Sequence, residues 1–127
     1  MDINSLSAAD SIEFELKYPS GKTTGVVFDV VGQFSSGYNK VAARVNAIIS
    51  KLDCADDEKS DRRITETAIA CVRGWKGLEE TNEAGEKVTL EFSEDNCRRF
   101  LDEPSRNWIA TQIYLRVIGE KGFFGKA

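Results

Sequence analysis

Residues 12–18 alternate: Ile12, Phe14, Leu16 and Tyr18 fall on one side, Glu13, Glu15 and Lys17 on the other. A period of two predicts a half-buried strand. Pro19-Ser20-Gly21-Lys22 supplies a turn, because proline presets φ and glycine accepts a positive one. Residues 24–31, Thr-Gly-Val-Val-Phe-Asp-Val-Val, give the returning strand, and the pair reads as an antiparallel hairpin. A lone hairpin is marginal in water, so its apolar face needs a cover.

After a turn over Gly32 to Gly37, the spacing changes to that of a helix. Tyr38, Val41, Val45, Ile48, Ile49 and Leu52 form one stripe, with Ser35 or Ser36 as the candidate N-cap. This helix is the expected lid for the hairpin. Asp53 to Glu58 reads as an acidic linker, with Asp57 or Ser60 available to cap the next helix. Residues 61–73 place Ile64, Ala68, Cys71 and Val72 on one face, and Gly74 and Gly77 are expected to end that helix around Trp75. Trp75 then reads as a core anchor pinning an irregular connection. Glu79 to Glu86 is polar, with Asn82-Glu83-Ala84-Gly85 as a turn, and Lys87 to Phe92 alternates as a short strand.

Ser93 is a candidate N-cap for a helix with Glu94 and Asp95 in its first turn and Cys97, Phe100 and Leu101 inward. Pro104 stops it. Ser105 is then expected to cap a last helix, with Ile109, Ile113 and Val117 as its main stripe, Trp108, Leu115 and Ile118 widening it, and Gly119 at its end. These elements predict an α+β fold: an N-terminal antiparallel β-hairpin packed against a mainly helical domain. We expect a single domain over 1–127, with residues 1–10 as a flexible arm and 120–127 as a flexible tail.

Composition narrows the function. The chain of 127 residues carries 17 basic and 21 acidic side chains, a net charge of −4. That balance argues against nucleic acid as a partner, since phosphate binding needs a dense basic surface. Arg62-Arg63 and Arg98-Arg99 read as solvated helix faces. No apolar run approaches the about 20 residues that span a bilayer, and residues 1–10 lack the pattern of a signal peptide. No membrane role is expected, and the protein should remain in the cytoplasm where it is made.

Catalytic chemistry is not asked for. There is no histidine to act as base for a serine or cysteine nucleophile. Cys54, Cys71 and Cys97 are too far apart in sequence for a metal or redox motif; Cys71 and Cys97 read as core thiols and Cys54 as exposed. Asp56-Asp57-Glu58 lacks the glycine and distal glutamate of a calcium loop. We therefore expect no enzyme activity, no metal and no cofactor. What remains for contact is aromatic. Phe123-Phe124, flanked by Gly122 and Gly125, reads either as a peg for a partner or as a segment folding back onto its own domain, and Trp75 is a further contact candidate.

One stretch carries a resemblance. Val72-Arg73-Gly74-Trp75-Lys76-Gly77-Leu78, the polar turn Asn82-Glu83-Ala84-Gly85, then Leu90-Glu91-Phe92-Ser93-Glu94-Asp95-Asn96, Phe100-Leu101 and Pro104 resemble the tail assembly chaperones of long-tailed bacteriophages. In that family a helix runs into a Gly-Trp-x-Gly turn, and a Phe-Ser/Thr-x-x-Asn segment opens the next helix. The two strands around Tyr18-Pro19-Ser20-Gly21 and the Tyr38 helix are compatible with it, so that the resemblance covers most of residues 11–124 in order.

The resemblance implies a non-enzymatic protein that works in the cytoplasm of the infected bacterial host and is absent from the finished virion. It implies binding to the tape measure protein, which it keeps soluble while tail tube subunits polymerise, and a homo-oligomeric coat around that client. It also implies a longer product made by programmed frameshifting, through which the tail tube protein is contacted; Gly125-Lys126 is a dipeptide that a slippery run can encode. The alternative reading is a structural component of the virion, a minor tail or head–tail connector protein.

Overall fold

The computed structural model describes residues 10–119. Among them the chain forms β1 (Ile12–Lys17), β2 (Thr23–Val30), α1 (Tyr38–Ser50), α2 (Asp56–Cys71), β3 (Val72–Lys76), β4 (Glu79–Thr81), β5 (Lys87–Thr89), α3 (Glu94–Leu101) and α4 (Asn107–Ile118), with a 3-10 turn at Pro104–Arg106. The α+β architecture expected from the sequence is present, N-terminal hairpin included. The expected arm and tail lie almost wholly outside the described residues.

The hairpin pairs Phe14 with Phe28 and Ile12 with Val30, and buries Phe14, Leu16, Phe28 and Val30 on one face. Tyr18 departs from that face: the register shifts between Glu15 and Lys17, the strand ends, and the Tyr18 ring is half exposed. Val41, Val45 and Ile49 of α1 join the same core as the hairpin's apolar face. No side chain caps α1, whose N-cap is Gly37; the Ser35 hydroxyl donates instead to the Gly32 carbonyl, 2.9 Å away.

The helix expected over 61–73 starts earlier and ends earlier. Asp56, Asp57 and Glu58 form its first turn, where three acids oppose the positive end of the helix dipole. Its N-cap is Ala55, so neither Asp57 nor Ser60 holds that place. The helix packs against α1, α3 and α4, and is therefore buried around much of its girth at Thr65, Glu66, Thr67 and Ala68.

The largest departure concerns Trp75. No irregular connection follows α2; the chain passes directly into β3, which pairs antiparallel with β2 and makes a three-stranded sheet in the order β1-β2-β3. Trp75 lies opposite Phe28 and Gly74 opposite Asp29, so Gly74 is a strand residue rather than a helix stop. The free edge of β2 offers main-chain partners and an aromatic neighbour, and this pairing outweighs the local turn tendency of two glycines. The strand expected over 87–92 is shorter, and it pairs with β4, which shows no alternation in the sequence. The Asn82 carboxamide oxygen accepts from the N–H groups of Ala84 and Glu86 and shapes the turn between them.

Ser93 caps α3 as expected, accepting from the Asn96 N–H at 3.0 Å. Ser105 does not cap α4: it lies inside the 3-10 turn, and the N-cap is Arg106. α4 ends with Gly119 as its C-cap.

Candidate interaction surface

Trp75 is built into the domain. Its indole N–H donates to the Leu90 carbonyl at 2.7 Å. Phe92 meets the indole edge-on at 5.0 Å between ring centroids, and Phe28 does so at 6.3 Å, with Phe100 tilted at 6.0 Å. The ring thus ties the sheet to the exit of the β4–β5 hairpin and to α3. This is the anchor role read from the sequence, with a hydrogen bond for the polar end of a large apolar group.

An ion cluster centred on the buried Glu66 sits between α2 and α3, with its partners Arg62, Arg98 and Asp102 partly exposed. The Glu66 side chain is 3% exposed. Both of its oxygens accept from the Arg98 guanidinium at 2.8 Å, and Oε1 also accepts from Arg62 at 2.8 Å. Arg62 continues to Asp102. The hydrogen bond from Arg98 is the leading cause that holds the Glu66 carboxyl below the usual carboxylate range, against the opposing effect of burial. Arg62 does the same for Asp102. Two members of the arginine pairs read as solvated faces are therefore structural clamps. The sequence signal was Arg62 one helical turn before Glu66; only the fold supplies Arg98.

Cys71 and Cys97 are buried as expected, whereas Cys54 is half-buried rather than exposed. A cleft of about 110 Å³ borders the cluster and is lined by Arg44, Ile69, Arg73, Glu94 and Arg98. Its charges are of both signs and give it no preference for an anion or a cation. Among the described residues no group of three or more His, Cys, Asp or Glu is placed to hold a metal ion. No helix among them is long and apolar enough to cross a membrane.

The face that offers contact is the outer side of α4. Ile109, Ala110, Ile113 and Val117 turn inward and are buried. Opposite them, Trp108, Thr111, Leu115 and Ile118 recur at the spacing of one helix face. Leu115 is 59% exposed, while Trp108 and Ile118 are half-buried. Tyr18, 50% exposed, stacks on Trp108 at 6.0 Å and extends this stripe at one end. At the other end Gln33 donates its backbone N–H to the Val117 carbonyl at 2.9 Å and its carboxamide to the Ile118 carbonyl, which fastens the loop after β2 to the helix terminus. α4 carries one charged side chain, Arg116, in 12 residues, although 30% of the whole chain is charged. Depletion of charge around aromatic and aliphatic groups is the mark of an interface core.

Phe123 and Phe124 lie outside the described residues. The sequence pattern assigned Trp108, Leu115 and Ile118 to a widened core face; Trp108 and Ile118 do pack partly against the core, whereas Leu115 turns to solvent. Comparison with protein-family models, with curated proteins and with solved structures finds no match for the chain.

Proposed function

We propose that the protein is a non-enzymatic tail assembly chaperone of a long-tailed bacteriophage, which holds the tape measure protein soluble in the cytoplasm of the infected host and does not remain in the virion. The outer face of α4 is the client-binding surface in this reading. The observation that carries it is the stripe formed by the exposed Tyr18 and Leu115 with the half-buried Trp108 and Ile118 along a helix almost free of charge. An apolar helical client can lay one face along such a stripe, in the manner of helix recognition through anchors spaced three and four residues apart. The remaining surface keeps a net charge of −4, which opposes aggregation of the loaded complex. The motif resemblance over residues 72–104 supplies the identity of the client, a homo-oligomeric arrangement around it, and a frameshifted longer form that reaches the tail tube protein.

Co-expression with the tape measure protein encoded beside this gene, followed by affinity capture and sizing, tests the reading. We expect soluble client co-eluting with several copies of this chain, and loss of that co-elution in Leu115→Asp with an unchanged melting curve. An insoluble client beside a free monomeric chain sinks the proposal. Detection of the chain in purified particles would instead support a virion component.

A further inference from the structure

We propose that the outer edge of β1 is a strand-addition site for an extended segment of a partner protein. The guest strand runs antiparallel to β1, with Lys or Arg opposite Glu13 and Glu15 and an apolar residue between them. The sheet order β1-β2-β3 leaves β1 at an edge. Two observations fix which of its backbone groups face outward. Val31 donates its N–H to the Cys71 carbonyl at 2.9 Å, so alternate residues of β2, Phe28 and Val30, turn theirs to β1, where Phe14 and Ile12 are their partners. At the other end of the strand Lys17 turns both of its backbone groups away from β2 and onto Gln112. Successive strand residues direct these groups to opposite sides. Glu13 and Glu15 therefore carry theirs outward, two donors and two acceptors in a row. Such a row is what an added strand recognises.

The ground beside the edge selects an apolar residue. Gln112 marks where α4 meets β1, and one turn on the Arg116 guanidinium lies 5.2 Å from the centroid of the buried Phe14 ring, on the inner side of the sheet. Leu115 sits about 60° round the helix from Gln112, on the side away from Arg116. It thus faces beyond the edge, where a guest strand runs, and it is 59% exposed. The guest residue opposite Phe14 points to this inner side. Leu115 favours an apolar group there, and the charge of Arg116 excludes a basic one.

The outer side selects basic residues. Guest residues opposite Glu13 and Glu15 stand beside two carboxylates. Glu13 is 57% exposed and meets Lys76 at 3.3 Å, and Glu15 accepts from the Gly25 N–H at 3.2 Å. Each carboxylate keeps lone pairs for a further donor. Opposite charges across a ladder favour pairing and like charges oppose it. A second copy is therefore a poor occupant, because a two-fold pairing centred on this stretch sets glutamate opposite glutamate. The grip of Gln112 on Lys17 closes the row and fixes where the guest strand stops. The site stands whether or not the outer face of α4 carries a helical client.

The test is titration of the full, isotope-labelled chain with a short capped peptide of alternating Val and Lys, followed by amide resonances and amide exchange. We expect saturable shifts at Glu13 and Glu15 and slowed exchange of those two amides, while Ile49 on α1 stays in place. Glu15→Pro removes an outward donor at an edge position, where proline is tolerated, and should weaken binding about tenfold. A second arm leaves the protein unaltered. Methylating the peptide's lysine nitrogens, which face β1 in this pairing, should abolish binding, whereas methylating its valine nitrogens should leave it intact. Equal binding of the two methylated peptides overturns the proposal, as does no binding of the parent peptide. Equal binding of a Val and Glu peptide removes the charge argument and with it the assigned partner. Slow exchange of Glu13 and Glu15 in the free chain means that the edge is already closed, and slow exchange that develops only on concentrating the free chain gives the edge to a second copy; either result sinks the assignment.

Discussion

Gln112 grips Lys17 by both of its backbone groups: the Lys17 N–H donates to Gln112 Oε1, and Gln112 Nε2 donates to the Lys17 carbonyl, each at 2.9 Å. The side-chain amide presents a donor and an acceptor as a neighbouring strand would. It thereby satisfies the end of an edge strand that is otherwise open to pairing, and it ties the hairpin to α4 across 95 positions. Gln112→Ala should cost about 1–2 kcal/mol for two partly exposed hydrogen bonds. Amide hydrogen exchange gives the sharper readout, because Lys17 should lose protection while Phe28 in the sheet centre keeps it. Equal protection of Lys17 in both proteins would show that the grip contributes nothing.

Glu66 predicts an acid limb. Its carboxyl is held below the ordinary range by Arg98 and Arg62 in the folded state alone. A carboxyl with a lowered folded pKa stabilises fully above its unfolded value of about 4.3, and that contribution is lost as pH falls through the lower folded value. Asp102, lowered by Arg62, adds in the same direction. Glu66→Gln should therefore lose about 1–3 kcal/mol at neutral pH, the range for hydrogen bonds to charged groups, since the arginines it leaves are partly exposed, and its melting temperature should fall less steeply than that of the native chain on acidification. Parallel acid limbs for the two proteins would remove Glu66 from the account.

These two relationships show where the sequence is legible. Phe14 and Leu16 against Val26, Phe28 and Val30 announce their strands because each period is complete within a few residues. Val41, Val45 and Ile49 announce α1 in the same way. β3 is not announced, since Val72 to Lys76 become a strand only through the edge of β2, far back in the chain. Arg62 and Arg98 read as solvated positions until the fold brings both to Glu66. On α4, Ile109, Ile113 and Val117 and, on the far side, Trp108, Leu115 and Ile118 both follow helical spacing. The sequence marks Ile109, Ile113 and Val117 as the inward stripe, and they are buried; Trp108 and Ile118 also pack partly against the core, so only the exposure of Leu115 is visible in the fold alone.

Trp75 separates two contributions. Trp75→Phe keeps an aromatic ring among Phe28, Phe92 and Phe100 but deletes the donor to the Leu90 carbonyl. It should cost about 1–3 kcal/mol for an acceptor left without its partner. Trp75→Ala removes the ring as well and should cost about 3–5 kcal/mol. Denaturant melts of both variants check the order, and an alanine variant as stable as the native chain would refute the anchor role.

Burial pushes the Cys71 and Cys97 thiols up to about 12, and both side chains are almost wholly inaccessible. The thiolate is the reactive form. A disulfide reagent at mildly alkaline pH should modify Cys54 first and reach the other two only on unfolding. Cys54→Ser should then abolish the fast phase altogether. A fast phase that survives this substitution would mean that α2 or α3 opens far more readily than its packing implies.

Gly77 and Gly85 share one backbone conformation and differ in surroundings, which allows strain and collision to be measured apart. Both have φ near +80°. A Cβ at Gly85 meets open space, so Gly85→Ala bears only the left-handed cost of about 1–2 kcal/mol. A Cβ at Gly77 would lie 2.5 Å from the Gly25 carbonyl oxygen, and that neighbour is backbone, unable to rotate aside. Gly77→Ala must therefore separate the turn after β3 from the start of β2, adding its collision to the same conformational cost. We expect it to be destabilised by about 3 kcal/mol or more in total, clearly beyond Gly85→Ala in parallel melts. Equal losses would place the whole effect in the backbone conformation and argue against a close approach of Gly77 to Gly25 in solution.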